Sequence, residues 1–191
     1  KNQNKNIVTP DKENAVALGT ASFKMQQDHP DYPALVMANE ILGSGGFLSA
    51  RLPMRLREKE GISYGVGSYL SVPLSNEVSS WNYYAFLNPT KRDAVEKAIQ
   101  EEVSKALSSG FTQEELDANK KSYMNQRMTD LGFDEMLISL LNTKLLFGIP
   151  LEKFDEQNLK VQNLKLSDVN SALKKYLSQE KLISVFAGDF N

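Results

Sequence analysis

The sequence predicts an α+β domain, a mainly antiparallel sheet with helices packed on one face. Three observations carry this. Strand-like runs lie at residues 13–23, 63–71, 76–87 and 181–187, at the two ends and the middle of the chain. The middle pair is joined by the short turn VPLSN and so reads as a hairpin. Between Asn88 and Leu177 apolar residues recur at helical spacing, so the last strand must return to a sheet made largely by the first half.

Composition narrows the function classes. A chain of 191 residues is enough for one domain with a buried core, and neither repeat nor linker divides it, so residues 1–191 read as a single domain. Net charge is −2, which gives no electrostatic case for nucleic acid or an anionic membrane. No segment approaches the roughly 18 apolar residues of a membrane span. Cysteine is absent and His29 is the single histidine, so cysteine-ligated metals are excluded and a catalytic zinc site is not expected in this chain. The opening KNQNKN has no initiator methionine and no apolar core behind it, and reads as a piece of a longer chain.

Taken in order, residues 1–12 are polar, with a turn at Pro10–Asp11. ENAVALGTASF is a mostly buried strand, and His29 falls in the loop after it as a solvated residue. Asp31 is placed as N-cap of a helix from Tyr32 to Leu42, with Leu35, Ala38, Ile41 and Leu42 as its apolar face. The glycine run Gly43–Gly46 follows a helix and lacks GK[ST], so it is not a phosphate loop; it lets the backbone pass close to something. Leu48, Leu52 and Leu56 share one helical face, with Arg51, Arg55 and Arg57 pointing elsewhere, and Gly61 ends that helix.

In the strand ending at Leu87, Trp81, Tyr83, Ala85 and Leu87 alternate with Asn82, Tyr84 and Phe86, which predicts at least partial cover on both faces. Without a basic field, this aromatic run reads as packing and not as base stacking. Ala94 to Leu107 is helical up to Gly110, and Thr112 with Glu115 forms a capping box for the next helix. A strongly apolar helix spans Phe133 to Phe147, a polar one follows from Leu151 to Gln162, and Ser167 is placed as cap of a last helix before the strand KLISVFA.

The whole chain is organised around residues 38–70, where NEILGSGGFLSARLPMRLREKEGISYGVGS resembles the second, non-zinc domain type of the pitrilysin-like M16 metallopeptidases. The resembling parts are Asn39–Gly46, Ser49 to Leu52, and Arg57 to Tyr64, with NPTKRDAVEKAI, GFTQEELDANKKSY and the ending ISVFAGDF in the family's order. Ser44 within the glycine run and Phe47 depart from the pattern. The resemblance implies an M16 (LuxS/MPP-like) fold, and a C-terminal-type domain from a long bacterial member that is exported, hence a periplasmic address. It implies two halves around a chamber. One holds zinc on H-x-x-E-H, and the facing half supplies an Arg and a Tyr to the peptide substrate. No H-x-x-E-H exists here, so zinc would sit in a partner domain of the parent, and this chain by itself would be inactive.

The Arg and Tyr of the motif fall on Arg57 and Tyr64, on either side of Gly61. A tyrosine hydroxyl can donate to the oxygen of a tetrahedral species, and a guanidinium can hold substrate carbonyls in register. From spacing alone both residues read equally as surface structure; the motif around them favours the substrate role. Arg51 and Arg55 are left as solvated or structural charges. The alternatives are a catalytically inactive assembly module of the same fold and a stand-alone peptide binder that adds a substrate strand to a sheet edge.

Overall fold

Five strands form one sheet in the computed structural model, which describes residues 3–46, 49–74 and 78–190. They are β1 (Gln3–Val8), β2 (Ala15–Lys24), β3 (Gly65–Ser71), β4 (Val78–Leu87) and β5 (Ile183–Gly188), in the order β1-β5-β2-β4-β3. β2, β3, β4 and β5 pair antiparallel, and β1 runs parallel to β5. The predicted hairpin is β3–β4; its residues 75–77 lie outside the described residues, as do Phe47 and Leu48 of the predicted leucine stripe.

The polar N-terminus holds a strand that the sequence reading did not assign, ahead of the turn it placed at Pro10–Asp11. Its backbone completes the β5 edge, with Val8 opposite Gly188 and the Thr9 N–H donating to the Gly188 carbonyl at 2.9 Å. Ile7 and Val8 stay exposed, so this strand owes its existence to backbone hydrogen bonding and carries no apolar alternation to announce itself.

The helices cover one face. α1 (Tyr32–Asn39) runs on as a wide π-helical turn, Glu40–Ser44, closed by the Gly45 N–H on the Glu40 carbonyl. α2 (Arg51–Pro53) opens into a second such turn, Met54–Lys59. α3 (Arg92–Ser109), α4 (Gln113–Asp130), α5 (Asp134–Leu146), α6 (Glu152–Gln162) and α7 (Leu166–Tyr176) follow. Beneath them lie Ala17, Ala21, Trp81, Tyr83, Ala85, Leu87 and Phe186, each at most 2% exposed. Leu35, Ala38, Ile41 and Leu42 are buried as their helical spacing predicts. Gly19 has no side chain because the Tyr83 ring occupies the space; a Cβ there would lie 1.9 Å from it. The Tyr83 hydroxyl bonds Ser184 at 2.8 Å, and burial pushes its pKa up to about 12.

Some local expectations change. Asp31 does not cap α1 with its side chain. Its carboxylate takes Lys175 at 2.7 Å and the Tyr176 hydroxyl at 2.8 Å, and the Lys175 bond is the main reason its pKa is lowered. His29 belongs to this knot, its Nδ1 accepting the Asp31 N–H and its ring edge-on to Tyr176, so it is half-buried and not merely solvated. At α7 the cap comes from Asp168, which accepts the Lys165 N–H, and Ser167 lies inside the helix. The capping box of Thr112 and Glu115 forms as read. β4 is covered on its Trp81–Leu87 face, whereas Phe86 on the other face is 43% exposed.

Candidate functional site

The segment from Leu52 to Gly65 is built from two buried anchors and an open turn. Leu52 and Leu56, one helical turn apart, are fully buried. The Leu56 carbonyl then accepts the N–H groups of both Ile62 and Ser63, at 2.9 and 3.2 Å, so the chain reverses tightly around it. That reversal needs Gly61, whose φ of 59° suits a residue without Cβ; nothing lies within 4 Å of where a Cβ would be. Arg57 follows the buried Leu56 on the outward side. Its side chain is 40% exposed, with Nε 3.5 Å from Glu58.

Tyr64 is fixed from the β4 side. The Phe86 carbonyl accepts both the Tyr64 N–H at 3.2 Å and the Ser63 hydroxyl at 2.7 Å. The Tyr64 ring stacks on Phe86, with centroids 6.2 Å apart and planes 17° from parallel, while the residue stays 54% exposed. Phe86 in turn leans on Tyr84 at 5.8 Å. Opposite these two rings stand Phe86's partner Gly65 and Tyr84's partner Gly67, where a Cβ would come within 3.3 and 2.9 Å of the respective rings. The glycines of edge strand β3 thus leave room for the rings of Tyr84 and Phe86, in a row that ends in Tyr64. Sequence reasoning took Tyr84 and Phe86 for packing; the signal that could have found this ladder is G-x-G in one strand of a hairpin against Y-x-F in the other.

Underneath, Asn39 joins the two halves of the motif. Its buried Oδ1 accepts the Ser68 hydroxyl at 2.7 Å and the Trp81 indole N–H at 2.9 Å, tying the end of α1 to β3 and β4. Gly43 packs directly on Ser68, and Ser44 bonds Glu40 within its own turn. The other two arginines are structural. Arg51 forms a two-pronged pair with Glu115 at 2.6 and 2.8 Å, beside the Phe111 ring. Burial raises the Glu115 pKa, and the bonds from Arg51 and Thr112 outweigh it, so the net shift is downward. Arg55 is shared among Glu60, Glu101 and Glu102. A cleft of about 630 Å³ opens beside these arginines, but neither Arg57 nor Tyr64 lines it.

This arrangement offers a hydroxyl and a guanidinium at a surface beside an aromatic sheet face and a free strand edge. Among the described residues no three His, Cys, Asp or Glu side chains cluster to hold an ion.

A family profile described as peptidase M16 inactive domain matches residues 1–123 of the 191, which include Arg57 and Tyr64. No curated protein matches the chain. Among solved structures, a peptidase M16 inactive domain from Pseudomonas fluorescens is 26% identical over 98% of this chain, with a TM-score of 0.83. The inactive peptidase domain of a Bordetella parapertussis protein assigned as a zinc protease is 21% identical over 91% of both chains (TM-score 0.74). The periplasmic protease PqqL of Escherichia coli is 19% identical over 97% of this chain (TM-score 0.72). These last two likenesses show the fold. The chain spans 43% of the Pseudomonas chain and 20% of PqqL. By its profile match, which takes in well over half of its length, this chain belongs to the peptidase M16 inactive-domain family.

Proposed function

We propose that this domain is the substrate-clamping part of a zinc-dependent M16 endopeptidase, one domain excised from a longer chain whose separate domain carries H-x-x-E-H. Arg57 and Tyr64 are the residues it contributes, Arg57 holding substrate carbonyls in register and Tyr64 donating from its hydroxyl to the carbonyl oxygen of the bond being cut. The observation that carries this is the way Tyr64 is held: backbone and ring are both fixed to Phe86, yet the residue remains half exposed. A donor fixed before substrate arrives need not reorganise when charge develops, and such a donor typically contributes about 10²–10³ in rate. A tyrosine kept only for stability would gain more by burying its ring.

The same geometry favours a peptide as ligand. β3 is an edge strand next to Tyr64, so an extended segment can add to it through backbone hydrogen bonds. The periplasm is the proposed compartment. It rests on the likeness to PqqL; among the described residues no helix is long and apolar enough to cross a membrane.

The test is cleavage of an unfolded peptide by the full-length protein. Tyr64→Phe and Arg57→Ala are each expected to lower kcat/KM at least tenfold with an unchanged melting temperature, since both side chains are exposed. Unchanged kcat/KM in both variants removes the proposed role and leaves an assembly module of the same fold.

A further inference from the structure

The turn that bears Arg57 carries charges in a row, Arg57, Glu58, Lys59 and Glu60. They divide into two pairs by the side they face. Lys59 and Glu60 line the cleft of about 630 Å³, where Arg55 holds Glu60 at 2.7 Å. Arg57 and Glu58 do not line that cleft. They stand together outside it, with side chains 40% and 39% exposed and the Glu58 carboxylate 3.5 Å from Arg57 Nε. At that distance the two charges attract without a hydrogen bond, and among the described residues the Glu58 carboxylate accepts none. An ionised carboxylate offers about four acceptor sites, so Glu58 keeps most of its capacity for another donor. Stability gives little reason for a carboxylate here. Glu58 lies in the last turn of the helical segment that ends at Lys59, where the helix dipole favours a cation over an anion.

We propose that Glu58 is a specificity-determining residue, which selects peptides that place a cationic side chain beside the carbonyl held by Arg57. This rests on the role given to Arg57 above. A guanidinium drawn to a substrate carbonyl loosens its pairing with Glu58 and leaves a negative charge at the edge of the bound peptide. A lysine or arginine side chain replaces the lost attraction, a neutral one does not, and an acidic one is repelled. Charge pairs as exposed as these are worth a factor of about two to five in an equilibrium, because solvent and salt screen them.

The experiment is cleavage of an unfolded peptide by the full-length protein, with lysine, glutamine or glutamate placed in turn at each position flanking the bond cut. At one position the native protein is expected to favour lysine over glutamine about two- to fivefold in kcat/KM, and to disfavour glutamate. Glu58→Gln, which keeps the size of an exposed side chain, brings that lysine-to-glutamine ratio to about one, whereas Glu58→Asp keeps the preference. A ratio that survives Glu58→Gln overturns the proposal. So does an equal loss of kcat/KM for all three peptides, which makes Glu58 a support for Arg57 and nothing more. Cleavage by Arg57→Ala is the separate readout. If Arg57→Ala cleaves as the native protein does, the proposed function fails and takes this proposal with it. If Arg57→Ala is impaired and the ratio survives Glu58→Gln, this proposal alone fails.

Discussion

Gly43→Ala sets two effects against each other, and the structure decides the sign. In a helical turn, replacing glycine with alanine ordinarily stabilises by about 0.5–1 kcal/mol. Here the new methyl would sit 2.5 Å from the Ser68 hydroxyl and 3.0 Å from the Ser68 backbone nitrogen. Backbone in a paired strand cannot step aside, so the contact costs what overpacking a core costs, about 1–3 kcal/mol. Displacing the Ser68 hydroxyl also breaks its bond to Asn39 Oδ1, worth about 0.5–1.5 kcal/mol. The balance is a net loss of roughly 1–3 kcal/mol, or a melting temperature lower by roughly 2–10 °C in a chain of this size. Trp81 is the single tryptophan and shares Asn39 with Ser68, so its fluorescence follows urea unfolding from inside the affected network. A loss below about 0.5 kcal/mol, or a gain, would show that the glycine run is tolerant and that close approach is not its purpose.

Asn39→Ala strips the acceptor from two donors, Ser68 and Trp81, and is expected to cost about 2–4 kcal/mol by urea denaturation, with a shifted Trp81 emission maximum in the native state. Gly61→Ala meets no neighbour, so its cost is that of a left-handed backbone alone, about 1–2 kcal/mol; a larger loss would mean that the turn is packed after all. The Arg51–Glu115 pair sets a pH dependence. Because the folded-state pKa of Glu115 lies below its ordinary value of 4.5, its contribution is complete above that value and is lost as the pH falls through the lowered one. Stability should therefore fall more steeply below about pH 4.5 in the native sequence than in Glu115→Gln, as read from urea midpoints at a series of pH values; parallel slopes would contradict the assignment.

Where burial dictates residue type, the fold was legible in the sequence. Leu35, Ala38, Ile41 and Leu42 advertise a helix face, and Trp81 to Leu87 advertise a strand face, because each must meet the same core. β1 was not legible because its stability comes from backbone groups that every residue carries; Lys5 and Asn6 look like a tail until β5 is beside them. Asp31 stands at the N-cap position but makes no capping bond, for a related reason. Asp31 has the right chemistry at the right place, but Lys175 and Tyr176, some 145 positions away, offer its carboxylate charged and neutral donors together. A local rule loses to a long-range partner that no local window contains. The alternation on β4 predicts at least partial cover on both faces, and the second face is partly covered, with Asn82 and Tyr84 half-buried and Phe86 43% exposed.

That partly covered face bears on how the candidate site is read. Arg57 and Tyr64 were found through the motif that contains them, and nothing in their spacing would have separated them from surface residues. What the structure adds is a reason why the motif has its glycines. Gly61 turns the chain, whereas Gly65 and Gly67 leave the edge strand low enough for Phe86 and Tyr84 to lie across it and carry the Tyr64 ring. A residue that must present a hydroxyl outward cannot be held by burying it, so it has to be held from the side, through its backbone and one face of its ring. Under the role proposed for Tyr64, Phe86 is a positioning residue. Phe86→Ala, with Tyr64 intact, should reduce cleavage by the full-length protein in kcat more than in KM, whereas Phe86→Tyr, which keeps the stacking face, should retain the rate. Equal activity in both variants would mean that Tyr64 does not depend on the ring beneath it.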